Sequence, residues 1–146
     1  MTKKVWIFLL LVALLTTIPP AGSFADAISI KLGNEMLVTH YSELLKDKRV
    51  GLVTNQTGVN SKGISTIAML EQINVNLRAL YAPEHGIDGK APAGRYVEST
   101  THPTLHIPVY SLYGKTKQPT SDMLKDIDVL LFDLQDIGAR TYTYIS

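Results

Sequence analysis

The chain of 146 residues contains no cysteine. That excludes structural disulfides, thiolate zinc sites and a lipid-modified cysteine behind a leader, so the fold must rest on an apolar core of reasonable size. It also lacks a charge surplus. The formal net charge is +1, and a nucleic-acid binder would show a basic excess or stripe instead. Neither GxGxxG nor a complete GxxxxGK[ST] loop occurs, since Gly114-Lys115-Thr116 has Val109 where the first glycine would stand, so nothing is shaped to cradle a nucleotide phosphate. A GxSxG elbow is missing, which argues against a serine esterase. Internal repeats and low-complexity tracts are absent. Long apolar runs are scarce as well; the longest unbroken one is Val5 to Leu15.

That run reads as the core of a secretory signal. Lys3 and Lys4 precede it, Pro19, Pro20 and Gly22 end it, and Ala25-Asp26-Ala27 has the small-x-small form of a cleavage site. The run falls short of the roughly 20 apolar residues that cross a bilayer. Residues 1–27 are therefore expected to form a signal-peptide helix cleaved before Ile28, leaving no stable membrane anchor. A secreted or cell-envelope location follows. Loss of Lys3, Lys4 and Asp26 brings the acidic and basic residues into balance.

Residues 28–47 read as an approach segment, with a turn at Gly33-Asn34 and a short amphipathic helix from Tyr41 to Lys46. Residues 48–146 then alternate strand and helix. Arg49 to Thr54, Val75 to Tyr81, Ile107 to Tyr110 and Asp128 to Leu134 are short apolar runs that end in polar turn residues, as buried parallel strands do. Helices are expected over Ser61 to Ile73, capped by Asn60 or Ser61, and over Pro119 to Lys125, with Thr120 or Ser121 near the cap. Between them residues 86–106 form a long loop rich in Gly and Pro, and loops of that length are usually functional or disordered. The pattern predicts an α/β fold, a Rossmann-like parallel sheet with flanking helices that is truncated at Ser146.

Ligands bind such sheets beyond the carboxyl ends of the strands. Three polar groups fall there: Asn55-Gln56-Thr57, Glu84-His85, and Gln135-Asp136 with Arg140 further on. Glu84 lies between Pro83 and His85-Gly86, a turn that would hold a carboxylate at a strand end. Partial burial would raise its pKa, which suits a general acid near neutral pH; a structural carboxylate would sit in such a turn equally well. His85 would bind substrate hydroxyls or orient a partner, or simply be a satisfied polar residue. Asn55, Gln56 and Thr57 would bond sugar hydroxyls or serve turn chemistry. Asp133, inside the most apolar strand, needs a partner, and Arg140 is one candidate. Tyr110, Tyr113, Tyr142 and Tyr144 could stack on sugar rings or pack the core. His102 and His106 have zinc spacing, but Pro103 and Pro108 oppose the helix that spacing needs, so no metal is expected there.

The strings RVGLVTNQTGV (49–59), YAPEHGIDG (81–89), IPVYSLYG (107–114), KQPTSDML (117–124) and DVLLFDLQDIGARTYTYIS (128–146) together resemble the exo-β-N-acetylmuramidase family, once known only as DUF1343. The resemblance implies a Rossmann-like N-terminal domain, a smaller C-terminal domain and an active site in the cleft between them. It implies release of N-acetylmuramic acid from the non-reducing ends of peptidoglycan fragments, with no cofactor. Glu84 matches the position expected to supply a catalytic carboxylate. Asn55, Gln56, His85, Asp136 and Arg140 fall on motif positions around the cleft and are expected to bind substrate. Members are much longer, so this chain is expected to be inactive alone. Two other readings are a wall-sugar binding module without catalysis, and a metal-dependent deacetylase or esterase using His85, His102 and Asp133.

Overall fold

The computed structural model describes residues 30–139. The expected signal peptide, Arg140, Tyr142 and Tyr144 lie outside them. Within them the first element is helix α1, Gly33–His40, followed by a 3-10 turn, Ser42–Leu45. The turn expected at Gly33-Asn34 is thus the first turn of a helix. Glu35 starts it by reaching back to the Leu32 N–H at 3.0 Å. The same carboxylate accepts from Ser61 N and from the Ser61 hydroxyl, which ties α1 to the loop after the first strand.

The strands are β1, Val50–Thr54; β2, Leu77–Ala82; β3, Thr100–Thr101; β4, Pro108–Ser111; and β5, Val129–Asp133. Helix α2 spans Thr66–Gln72 and helix α3 spans Ser121–Leu124. Sheet order is β3-β4-β2-β1-β5. β4, β2, β1 and β5 run parallel, as expected, and the short β3 pairs antiparallel with β4. The sheet is therefore mixed, not wholly parallel. β3 lies within the loop of residues 86–106 and caps the β4 edge.

Chain order across the parallel strands reverses at β1. The chain moves from β1 to β2 on one side and later places β5 on the other. In open α/β sheets such a reversal opens a crevice at the carboxyl ends of the two strands.

Alternation within the strands sorts two cores. Val50, Leu52, Leu80, Ala82 and Val109 face one side, under Leu70 of α2 and Leu37 of α1. Val53, Ala79 and Tyr81 face the other, under Met123, Leu124 and Ile127 of the α3 region. β1 is buried along its whole length, as a central parallel strand should be. Each fully buried aliphatic side chain contributes on the order of 1.5–3 kcal/mol. Tyr81 is fully buried, and its hydroxyl donates to the Met123 carbonyl at 2.6 Å. Burial, with Tyr110 alongside, pushes that phenol up to about 12.

Helix α2 begins later than its apolar spacing suggests. Asn60 Oδ1 accepts from Lys62 N and Ile64 N, each at 2.9 Å, which makes residues 60–64 a turn. Ser65 then caps the helix through Ala68 N. Thr120 caps α3 as expected, accepting from Met123 N at 3.3 Å.

Candidate active site

Because β1, β2 and β5 are parallel neighbours, Asn55, Glu84 and Asp136 stand on one rim of the sheet. The β1 loop lies between the other two. Gln56 from that loop covers Gly89 of the β2 loop so closely that a Cβ on Gly89 would meet the Gln56 carboxamide at 2.3 Å. On its other side, Thr57 Oγ1 accepts from Gln135 N at 3.1 Å. Three sequence-distant turns are thereby joined.

Asn55 is buried and shapes the rim from below. Its Oδ1 accepts from Thr57 N at 2.9 Å and from Thr57 Oγ1 at 2.6 Å, an Asx turn. Its Nδ2 is buried without a protein partner among the described residues. Asp136 is exposed and accepts from Gly138 N at 2.7 Å. Gln56 is exposed above them.

Glu84 is half-buried at the end of β2. Its Oε1 accepts from Gly94 N at 2.8 Å. That backbone donor, aided by the Tyr113 hydroxyl, holds the carboxyl below the usual glutamate range. The shift is opposite to the raised value expected from burial. Donors to the ionised form outweigh desolvation here because the group stays partly in water. The same contact raises the Tyr113 phenol. Glu84 therefore suits an ionised role, as base or nucleophile, better than that of an acid protonated at neutral pH.

His85 has φ 72°, a left-handed backbone that costs a non-glycine residue about 1–2 kcal/mol. A reciprocal lock offsets it. Ala91 N donates to His85 O at 3.0 Å, and His85 Nδ1 meets Ala91 O at 2.7 Å. The rest of the long loop is sewn to β4 by Ser111 N, which donates to Ser99 Oγ, and to the segment just after β4 by Val97 N, which donates to Tyr113 O.

At the β1–β5 reversal lies a network not foreseen from the sequence. Thr66 Oγ1 donates to Asp133 Oδ2 at 2.5 Å, and Asn34 Nδ2 reaches Thr66 Oγ1 at 2.8 Å and Asp133 Oδ2 at 3.3 Å. These are the partners Asp133 needs. Gly58 completes the fit, since a Cβ there would meet Thr54 Oγ1 at 2.2 Å and Asp133 O at 3.1 Å. The Gly of the TNQTG string was the available signal. The reading built on His85, His102 and Asp133 together is not assembled. β1, β2 and β4 run between the strand that carries Asp133 and the turn that carries His102. His102 Nδ1 is engaged by Leu105 N at 3.3 Å within its own turn.

The fold and this rim define an α/β protein with an ionised carboxylate and anchored polar turns at the carboxyl ends of parallel strands. A family model described as the N-terminal part of the exo-β-N-acetylmuramidase NamZ matches residues 50–146. The chain belongs to that family. It is 42% identical over 153 aligned residues to the peptidoglycan β-N-acetylmuramidase NamZ of Bacillus subtilis (strain 168), covering 99% of this chain and 37% of that protein. Two crystal structures of DUF1343 family proteins from Bacteroides fragilis NCTC 9343 are also similar. One has 53% sequence identity and a TM-score of 0.68, the other 30% and 0.61. Each comparison covers 78% of this chain and 28% of the other. The chain thus spans little more than a third of the curated relative it matches.

Proposed function

We propose that this sequence supplies the carboxylate-bearing part of an exo-acting β-N-acetylmuramidase, which releases N-acetylmuramic acid from the non-reducing ends of peptidoglycan fragments. The observation that carries the reading is Glu84, held ionised by Gly94 N–H on the rim shared with Gln56 and Asp136. Membership of the family and similarity to the B. subtilis enzyme supply the substrate class. Glycosidases commonly use two carboxyl groups, one acid and one base or nucleophile. Glu84 takes the ionised part. Gln56 and His85 bind the sugar, Asn55 shapes the loop beneath it, and Arg140 takes the lactyl carboxylate through a two-pronged contact.

The test is release of N-acetylmuramic acid from a chromogenic muramide by a full-length protein carrying this sequence. Retained turnover in Glu84→Gln would remove that residue from its role. The chain alone, spanning 37% of its relative, is expected to be inactive, and measurable turnover by it would overturn that expectation. Residues 1–27 direct export, and intact-mass analysis of the mature protein should find Ile28 at its N-terminus.

A further inference from the structure

Beside the Glu84 turn the loop of residues 86–99 roofs a cavity of about 230 Å³ at the ends of β2 and β4. Its apolar lining includes Ile87, Val97 and Val109; its polar lining is His85 and the buried Ser111, together with Asp88, Glu98 and Thr100, which are exposed to solvent. Two hydrogen-bonding atoms there have a defined sense. The Ala91 carbonyl can only accept, so His85 Nδ1, 2.7 Å away, carries the hydrogen. The neutral ring then has a lone pair at Nε2, which has no partner among the described residues. Ser111 is buried, and its Oγ already accepts from Tyr113 N at 3.2 Å. Its hydroxyl hydrogen remains free to donate.

Apart from those exposed groups, the cavity offers one acceptor, one donor and an aliphatic wall, the complement of a secondary amide bearing a methyl group. We propose that this cavity is an acetamido pocket for a 2-acetamido sugar. The amide N–H donates to His85 Nε2, the amide oxygen accepts from Ser111 Oγ–H, and the methyl packs on Ile87, Val97 and Val109. Left-handed backbone at His85, locked twice to Ala91, is the device that fixes which ring nitrogen faces the ligand. This deepens the muramidase reading and rests on it.

The test uses the isotopically labelled 146-residue chain. A two-bond proton–nitrogen spectrum of the His85 ring should show Nδ1 protonated and Nε2 bare. Adding N-acetylglucosamine should move the Nε2 signal and the methyl signals of Ile87, Val97 and Val109, while glucose should not. His85→Phe and Ser111→Ala should each weaken N-acetylglucosamine binding roughly five- to tenfold, the loss of one hydrogen bond. Should either variant misfold, the tautomer and ligand spectra of the unaltered chain decide alone. Protonation at Nε2, equal response to glucose, or no response at His85 would each overturn the pocket. If the full-length protein hydrolyses the muramide in any of those cases, the pocket fails and the muramidase reading stands.

Discussion

The two rims of the sheet solve the same problem, ending four parallel strands, in opposite ways. At the amino rim Arg49 binds Asp126 at 2.9 Å and Asp128 at 2.8 Å, and its backbone N–H donates to Asp128 as well. Charge there is answered by charge, and the Arg49 contacts push the Asp128 carboxyl far below its usual range. At the carboxyl rim Glu84 is answered chiefly by a backbone N–H and a phenol. Its charge is stabilised without being neutralised. Cavity size does not separate the rims in the same way. The larger space, about 390 Å³ between Ser42 and Asn76, is near the amino rim, where no similarly anchored carboxylate lines it. The rim that carries the candidate site is the one that leaves a charge unmatched.

The contrast can be broken most forcefully through catalysis. In a full-length protein, Glu84→Gln should lower muramide hydrolysis by roughly 10²–10⁴-fold, the usual contribution of a positioned acid–base group, whereas Arg49→Ala should leave turnover unchanged. Next in size is stability. Asp133→Ala strands Thr66 and Asn34, and urea denaturation should show a loss of about 1–3 kcal/mol. Gly58→Ala, which forces a Cβ onto Thr54 and Asp133, should cost about the same.

Titration should sharpen the contrast further. The fold lowers the Glu84 pKa, so the stability it contributes is fully present above its ordinary value and is lost as pH falls through the lower folded value. Tyr113→Phe should raise the Glu84 midpoint in carboxyl carbon spectra, and Arg49→Gln should raise that of Asp128. A Glu84 midpoint unmoved by loss of the phenol would show that Gly94 N–H acts alone. The smallest effect is that of salt. Moving from low ionic strength to about 1 M shortens the screening length to roughly 3 Å, which should raise the Asp128 midpoint more than that of Glu84.

Much of the architecture was readable because parallel strands announce themselves. Arg49–Thr54, Val75–Tyr81, Ile107–Tyr110 and Asp128–Leu134 are short apolar runs, and each contains the observed strand or overlaps all but an end residue of it. Misreadings arose where long-range contacts outvote local pattern. Asn34 looked like a turn residue, but it is buried against Thr66 and, 99 positions away, Asp133. Thr100–Thr101 is a strand only because β4 lies beside it. The direction of the Glu84 shift depends on a donor ten residues on, at Gly94, which no local motif could signal. The grouping of Gln56, Glu84 and Asp136 was legible, since strand ends follow from the order of elements. The lock on the His85 ring was not, since it depends on how the following loop returns.

One edge of the sheet shapes how the protein behaves in a test tube. β5 has β1 on one side and no paired strand on its other among the described residues, and its Leu130 and Phe132 are 42% and 54% exposed. A row of amides left unpaired among the described residues, beside greasy side chains, invites a sister molecule to zip alongside. Light scattering should therefore rise steeply with concentration, and Phe132→Lys should keep solutions clear without touching the carboxyl rim.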